Sequence, residues 1–262
     1  LDQATTETIY IAIDNNNPSI SANLSNNQFR SSSFNLVITA SDSAGLKGAP
    51  TATVLNDVTG VSIGIPSKNG DDYTYTISIT DPGTFTATEV TICFTAEDIY
   101  GKTSDFNFIY KIDLSPPVFT EINYPASDFI NLPDNYSYRI TGKASDAGSG
   151  LKDVRYAVLS GDTASVPEVD SAEWLPAAGL QNWTANVDLA DKASGKYSLF
   201  VMLRDEAGNI KASERKVLFV DAEPPTISLG TVESLYKASF NIDLTASDPD
   251  GNLDSVTAKV VN

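Results

Sequence analysis

Histidine is absent from the 262-residue sequence and cysteine occurs once, as Cys93. Those two facts exclude disulfides within the chain, Cys/His zinc sites and every histidine-based catalytic triad. Basic residues are scarce, 17 against 34 acidic ones, and the formal charge of −17 repels a phosphate backbone, so nucleic acid is not an expected partner. No apolar run approaches the 18 residues of a membrane span, and Leu1 is not followed by a basic and then an apolar stretch like a signal peptide. The expectation is an interior piece of a longer polypeptide. With 41% hydrophobic residues the chain is nevertheless ordinary folded protein, long enough for about two domains.

What the sequence has is a repeat. A strand-like segment ends in Asp with Pro four residues later at Asp14 to Pro18, Asp113 to Pro117 and Asp221 to Pro225, so the linker aspartates stand 99 and 108 residues apart. After each, an alternating apolar segment runs into Ala-Ser-Asp, ending at Asp42, Asp146 and Asp248. A third landmark precedes the linker Asp: Asp98-Ile99-Tyr100-Gly101-Lys102 in one unit and Asp205-Glu206-Ala207-Gly208-Asn209 in the next.

Between landmarks the apolar pattern has period two, as in Phe34-Asn35-Leu36-Val37-Ile38 and Tyr73-Thr74-Tyr75-Thr76-Ile77. Val, Ile, Thr and Tyr dominate, bounded by Gly, Pro, Asn and Asp, and no dozen residues carry helical periodicity. An all-β fold follows, with tandem immunoglobulin-like β-sandwiches in a linear array. The register assigns 1–14 to the last strand of a preceding repeat, 15–113 and 114–221 to full sandwiches, and 222–262 to the opening strands of a further, incomplete repeat. Ile227, Leu229, Phe240, Ile242, Leu244 and Val256 would then lack a covering sheet. That face is expected to need chain continuation or a neighbouring molecule.

The second unit reads Tyr138-Arg139-Ile140-Thr141-Gly142-Lys143-Ala144-Ser145-Asp146, then Gly150-Leu151, Trp183, Gly195-Lys196-Tyr197-Ser198-Leu199, Asp205-Glu206-Ala207-Gly208-Asn209 and Val220-Asp221-Ala222-Glu223-Pro224-Pro225. This series resembles the bacterial immunoglobulin-like repeats of large cell-surface proteins, of adhesin or surface-layer (S-layer) type, over nearly the whole chain. The resemblance implies an extracellular, cell-surface location and a role set by the array rather than by catalysis. The first unit departs from the pattern with Lys102 in place of Asn209 and Val90 in place of Tyr197.

In a sandwich with strands A to G, the entry to A, the B–C loop and the F–G turn share one pole. That topology groups Asp14 with Asp42 and Asp98, Asp113 with Asp146, Asp205 and Asn209, and Asp221 with Asp248. Asp248-Pro249-Asp250 also begins like a calcium loop without its later glutamate, which adds Asp250 to the last group. Carboxylates about 5 Å apart repel by roughly 3 kcal/mol per pair at an effective dielectric near 20, and less when solvated. Two readings stay open: Asx and glycine turn chemistry alone, or a bound cation. Calcium, which takes six to eight oxygens, is the cation such a set suits, and the resemblance implies it too.

Other candidates are weaker. Trp174, Trp183, Tyr73, Tyr75, Tyr136 and Tyr138 read as core or cross-strand pairs before they read as a sugar platform. Every acid that can be grouped sits at a repeated position, which argues against a glycosidase pair. Cys93 falls within a strand and lacks a histidine to activate it. The expected function is a non-catalytic stalk, spacer or surface-assembly tile, partnered by neighbouring repeats or other copies. The alternatives are an adhesin module gripping a glycan or protein, and an accessory region of a secreted polysaccharide-active enzyme.

Overall fold

The computed structural model describes residues 7–8, 13–56, 58–80, 88–132, 137–231, 241–250 and 253–259. No helix occurs among them. The chain divides into two compact units, Leu1–Ser115 with Ala147–Gly150 and Glu206–Asn209, and Pro116–Asp146 with Leu151–Asp205 and Ile210–Asn262.

The first unit contains β1 (Ser19–Ala22), β2 (Gln28–Arg30), β3 (Phe34–Ser41), β4 (Thr51–Val54), β5 (Val61–Ile63), β6 (Ser67–Asn69), β7 (Asp72–Ile79), β8 (Thr88–Glu97) and β9 (Thr103–Ile112). One sheet runs β1-β3-β7-β5 with β6 also on β7, and the other runs β2-β9-β8-β4. Period-two alternation decides which side chains meet between them. Leu36, Ile38, Tyr73, Tyr75 and Ile77 from one sheet share a single buried cluster with Val90, Ile92, Phe94, Phe108, Tyr110 and Ile112 from the other. Fully burying each such side chain contributes about 1.5–3 kcal/mol, which holds the two sheets together.

The second unit repeats the plan with β10 (Val118–Asn123), β11 (Phe129–Asn131), β12 (Ser137–Ser145), β13 (Leu151–Ser160), β14 (Leu175–Pro176), β15 (Asn182–Asp188), β16 (Gly195–Asp205), β17 (Ile210–Ala212) and β18 (Lys216–Asp221). Its sheets run β10-β12-β15 and β11-β18-β16-β13-β14, with β17 on β16. In both units a three-residue strand, β2 or β11, pairs in parallel with the last long strand, β9 or β18, while the other pairings are antiparallel. Both units are immunoglobulin-like sandwiches.

The two units differ in their inserted strands and in the filling of their cores. Between β4 and β7 the first unit inserts β5 and β6, both paired to β7, whereas the second inserts β14, paired to β13 in the opposite sheet. The core is also filled differently. Ile38 faces Tyr73 across β3 and β7, and the corresponding pair is Gly142 and Trp183. A Cβ on Gly142 would lie 2.3 Å from Trp183 Cζ2, so the larger ring is accommodated by the missing side chain opposite.

Beyond the second sandwich, β19 (Thr226–Leu229) and β20 (Leu244–Ser247) form a two-stranded sheet. Its Ile227 and Leu229 are 61% and 65% exposed, and Ile242, Leu244 and Val256 are exposed as well. Phe240 lies outside the described residues, as do Ile9–Ala12 of the N-terminal strand. Trp174, Trp183, Tyr73, Tyr75 and Tyr138 are buried, in keeping with the core reading rather than a sugar platform, and Tyr136 lies outside the described residues.

Candidate metal centre

Strands β3, β12 and β20 end at Ser41, Ser145 and Ser247, so Asp42, Asp146 and Asp248 each follow directly on a strand end. Asp98 follows β8, and Asp205 is the last residue of β16. The repeated aspartates are therefore held by sheet ladders rather than by free loops.

In the first unit, carboxylate oxygens of Asp14, Asp42 and Asp98 lie within 4.8 Å of one another. Each carboxylate satisfies a nearby backbone N–H with Oδ1. Asn16 N–H donates to Asp14 at 3.0 Å and Ala44 N–H to Asp42 at 2.7 Å. Tyr100 and Lys102 N–H both donate to Asp98, at 2.8 and 2.9 Å. These are the Asx turns that the sequence suggests, but they use only half of each group. The Oδ2 atoms of Asp14 and Asp98 are buried without a hydrogen-bond donor, and Asp98 as a whole is 0% exposed. A cavity of about 230 Å³ is lined by Asp14, Asn16, Ser43, Ala44 and Tyr100 among others.

Burial pushes the Asp98 carboxyl up, but the backbone N–H groups of Lys102 and Tyr100, and then the Lys102 charge, outweigh it. The net displacement is down from 3.8, so Asp98 is ionised at neutral pH. Carboxylates this close repel one another, and a shared proton or an intervening cation relieves that repulsion. The Lys102 ammonium is near, yet its hydrogen bond goes to the backbone carbonyl of Asp14, not to a carboxylate. Oxygens bound to one calcium at 2.3–2.6 Å can be at most about 5 Å apart, so the observed separation fits a common ion. The donor set is all oxygen, which suits a hard cation and disfavours zinc or copper.

Asp113 belongs to the first unit and is also 0% exposed. Its Oδ1 accepts Ser115 N–H at 3.1 Å and its Oδ2 accepts Ser149 N–H at 2.6 Å. A Cβ on Gly148 would fall 2.2 Å from that Oδ2, so the loop approaches the carboxylate closely because residue 148 has no side chain. Asn209 Nδ2 donates to the Asp113 carbonyl at 2.8 Å. Lys102, a departure from the pattern by sequence, thus makes the same bond to Asp14 that Asn209 makes to Asp113. Asp146, half-buried, and Asp205, buried, stand in the second unit.

The last group also assembles: oxygens of Asp221, Asp248 and Asp250 lie within 4.8 Å of one another, with Asp250 exposed. Asp221 Oδ1 accepts Glu223 N–H at 3.2 Å and Asp248 Oδ1 accepts Asp250 N–H at 2.9 Å, repeating the Asx turns of the first cage. Sequence reasoning missed the pairing of Lys102 with the Asp14 carbonyl. A basic side chain at an amide position of a repeat is the signal that it was available.

No protein-family model matches the chain, and no curated protein matches it. Solved structures do resemble it. The fibronectin(III)-like modules of Clostridium thermocellum CbhA align over 78% of this chain and 94% of theirs, at 12% identity and a TM-score of 0.44. A tetra-tandem repeat from the extending region of a large adhesion protein aligns over 89% of this chain and 63% of its own, at 14% identity and a TM-score of 0.32. A chimeric titin Z1Z2 aligns over 79% and 97%, at 15% identity and a TM-score of 0.32. At these scores the fold assignment rests on the strand pairing itself.

Proposed function

We propose that the chain is a non-catalytic run of extracellular immunoglobulin-like repeats, a stalk, spacer or surface-assembly tile, whose linker aspartates bind calcium. One observation carries the calcium reading: in the Asp14, Asp42 and Asp98 cage, two carboxylate oxygens are buried with no donor. Asp14, Asp42 and Asp98 would be the ligands, with the ion supplying positive charge beyond that of the nearby Lys102 ammonium. Asp221, Asp248 and Asp250 would hold a second ion more weakly, because their site is more exposed to water. An ion that joins the linker Asp to the ends of two strands would stiffen the chain where it enters a sandwich. The cell-surface setting draws support from the repeat pattern. No catalytic role is assigned, since the grouped acids recur in each repeat and the sequence has no histidine to serve as a base.

Thermal unfolding in EDTA and then in millimolar calcium tests the proposal. Calcium at 100 times its Kd stabilises by about 2.7 kcal/mol, a shift of several degrees in Tm. Magnesium should shift it less, because its small octahedral shell dehydrates reluctantly. Identical melting in EDTA and calcium would remove the ion from the account.

A further inference from the structure

In the first sandwich the far edge of β7 is occupied. Strand β5 pairs Val61, Ser62 and Ile63 with Ile79, Ser78 and Ile77, flanked by Gly64 N–H to Thr76 carbonyl at 2.9 Å and Thr80 N–H to Gly60 carbonyl at 2.8 Å. Strand β15 is the counterpart of β7: Trp183 faces Gly142 as Tyr73 faces Ile38, and Val187 faces Tyr138 as Ile77 faces Phe34. Asn186, Asp188 and Ala190 therefore stand where Thr76, Ser78 and Thr80 stand. Yet β15 ends its sheet, and among the described residues no strand pairs its far edge at Asn186–Asp188. Ala178 covers only Thr184, through two hydrogen bonds of 2.8 Å.

Side chains substitute for the missing strand at two points. The Tyr156 hydroxyl donates to the Asn186 carbonyl at 3.0 Å, the place of the Gly64 N–H, and the Asp188 carboxylate accepts Ala190 N–H at 3.0 Å, the place of the Gly60 carbonyl. Among the described residues no strand pairs the far edge at Asp188, the counterpart of the strand-paired Ser78. The segment that would have run here instead crosses the outside of β16, seats Trp174 against Phe200 and Met202, and returns as β14. It leaves a cavity of about 380 Å³ beside the edge, lined by Tyr156, Leu175, Val187, Glu173, Asp188 and Lys192 among others. That volume lies in the range of ligand pockets, about 300–1,000 Å³.

We propose that this edge of β15 is a docking site for an extended strand of a partner protein, one that alternates apolar and polar residues and carries basic flanks. An open sheet edge recognises a strand through main-chain hydrogen bonds, and adjoining pockets select alternate side chains. The internal counterpart specifies the pattern: β5 packs Val61 and Ile63 toward the core and leaves Ser62 exposed. Two acids against one lysine in that lining, on a chain of net charge −17, select for basic residues beside that strand.

The probe is an acetylated peptide with the sequence of Thr59–Ile65 followed by two lysines, titrated into the whole chain and followed by amide NMR and hydrogen exchange. Saturable shifts at Asn186, Asp188 and Ala190, with slowed exchange at Asp188 and an unmoved first sandwich, are expected. A peptide N-methylated at the Ser62 position should bind at least ~10-fold more weakly, since strand pairing needs that N–H. Leu175→Glu, at a half-exposed residue, should weaken binding similarly while preserving the spectrum of the fold. No saturable shift at millimolar peptide overturns the proposal, and so does undiminished binding of the N-methylated peptide, which would mark a mere apolar pocket. Dimerisation of the chain with the same exchange protection and no peptide would also overturn it, in favour of a second copy as occupant.

Discussion

Strand β8 of the first sandwich and β16 of the second hold the same place in their sheets, but they treat their outer faces differently. Strand β8 leaves Thr91, Cys93 and Thr95 half-exposed, while β16 buries Ser198, Phe200 and Met202 and is covered without a break from Tyr197 to Leu203. The difference comes from the 15 or so residues before β14, which fold over β16 and anchor Trp174 by its indole N–H to the Glu168 carbonyl at 3.0 Å. One strand plan thus supports a single core in the first unit and a core plus a satellite cluster in the second. The same detour that builds the satellite uncovers the edge of β15.

Trp174→Ala should show the largest effect. It opens the cluster over Phe200 and Met202 and should destabilise the second sandwich by about 3–5 kcal/mol in urea unfolding. Cys93→Ala, at the matching outer position of β8, should cost under about 1 kcal/mol because that face is already half-exposed. Equal costs for the two would break the comparison.

Gly142→Ala comes next. Its new methyl meets the Trp183 ring and the Glu121 carbonyl, and overpacking of that kind costs about 1–3 kcal/mol. Combining it with Trp183→Tyr, the aromatic that the first sandwich places opposite Ile38, should recover part of the loss. No recovery would mean that the two cores do not exchange volume across this pair. Lys102→Ala and Asn209→Ala should each cost about 1 kcal/mol or more, because each loses its hydrogen bond to the carbonyl of a linker Asp, and Asn209 also a longer one to the Ser115 carbonyl at 3.5 Å. A loss confined to one of them would undo their equivalence.

The smallest effect lies at alkaline pH. Burial, and then the neighbouring Tyr73, push the Tyr75 phenol up to about 12, and burial lifts Tyr110 and Tyr138 further. A raised folded-state value means that their contribution is fully present below the unfolded value near 10 and is lost as pH rises above it. Ultraviolet titration should show these phenols ionising only as the sandwiches unfold. Ordinary ionisation of all tyrosines near pH 10 in folded protein would contradict their burial.

Much of this was legible in the sequence, for reasons particular residues make clear. Alternation in Phe34–Ile38 and Tyr73–Ile77 gives the inner faces directly, since a strand has only two sides. The linker, Ala-Ser-Asp and Asp-x-x-Gly landmarks mark strand ends, which explains why Asp14, Asp42 and Asp98 converge, as do Asp221, Asp248 and Asp250. The three-residue parallel strands β2 and β11 were not legible, because so short a stretch has no period to read. Nor was the covering of β16: Phe200 and Met202 on its outer face and Trp174 in a loop signal burial only once the loop's path is known. Lys102 misled for another reason. An ammonium and a carboxamide share little in composition, yet both deliver an N–H to the same carbonyl.

The central claim is that Asp14, Asp42 and Asp98 form a calcium site, and diffraction from crystals grown in millimolar calcium addresses it most directly through the anomalous signal of the ion. The account expects an ion within about 2.3–2.6 Å of a carboxylate oxygen from each of the three aspartates, abolished in Asp98→Asn. An ordered cage without an ion, its Asp14 and Asp98 carboxyls joined by a shared proton, would contradict it.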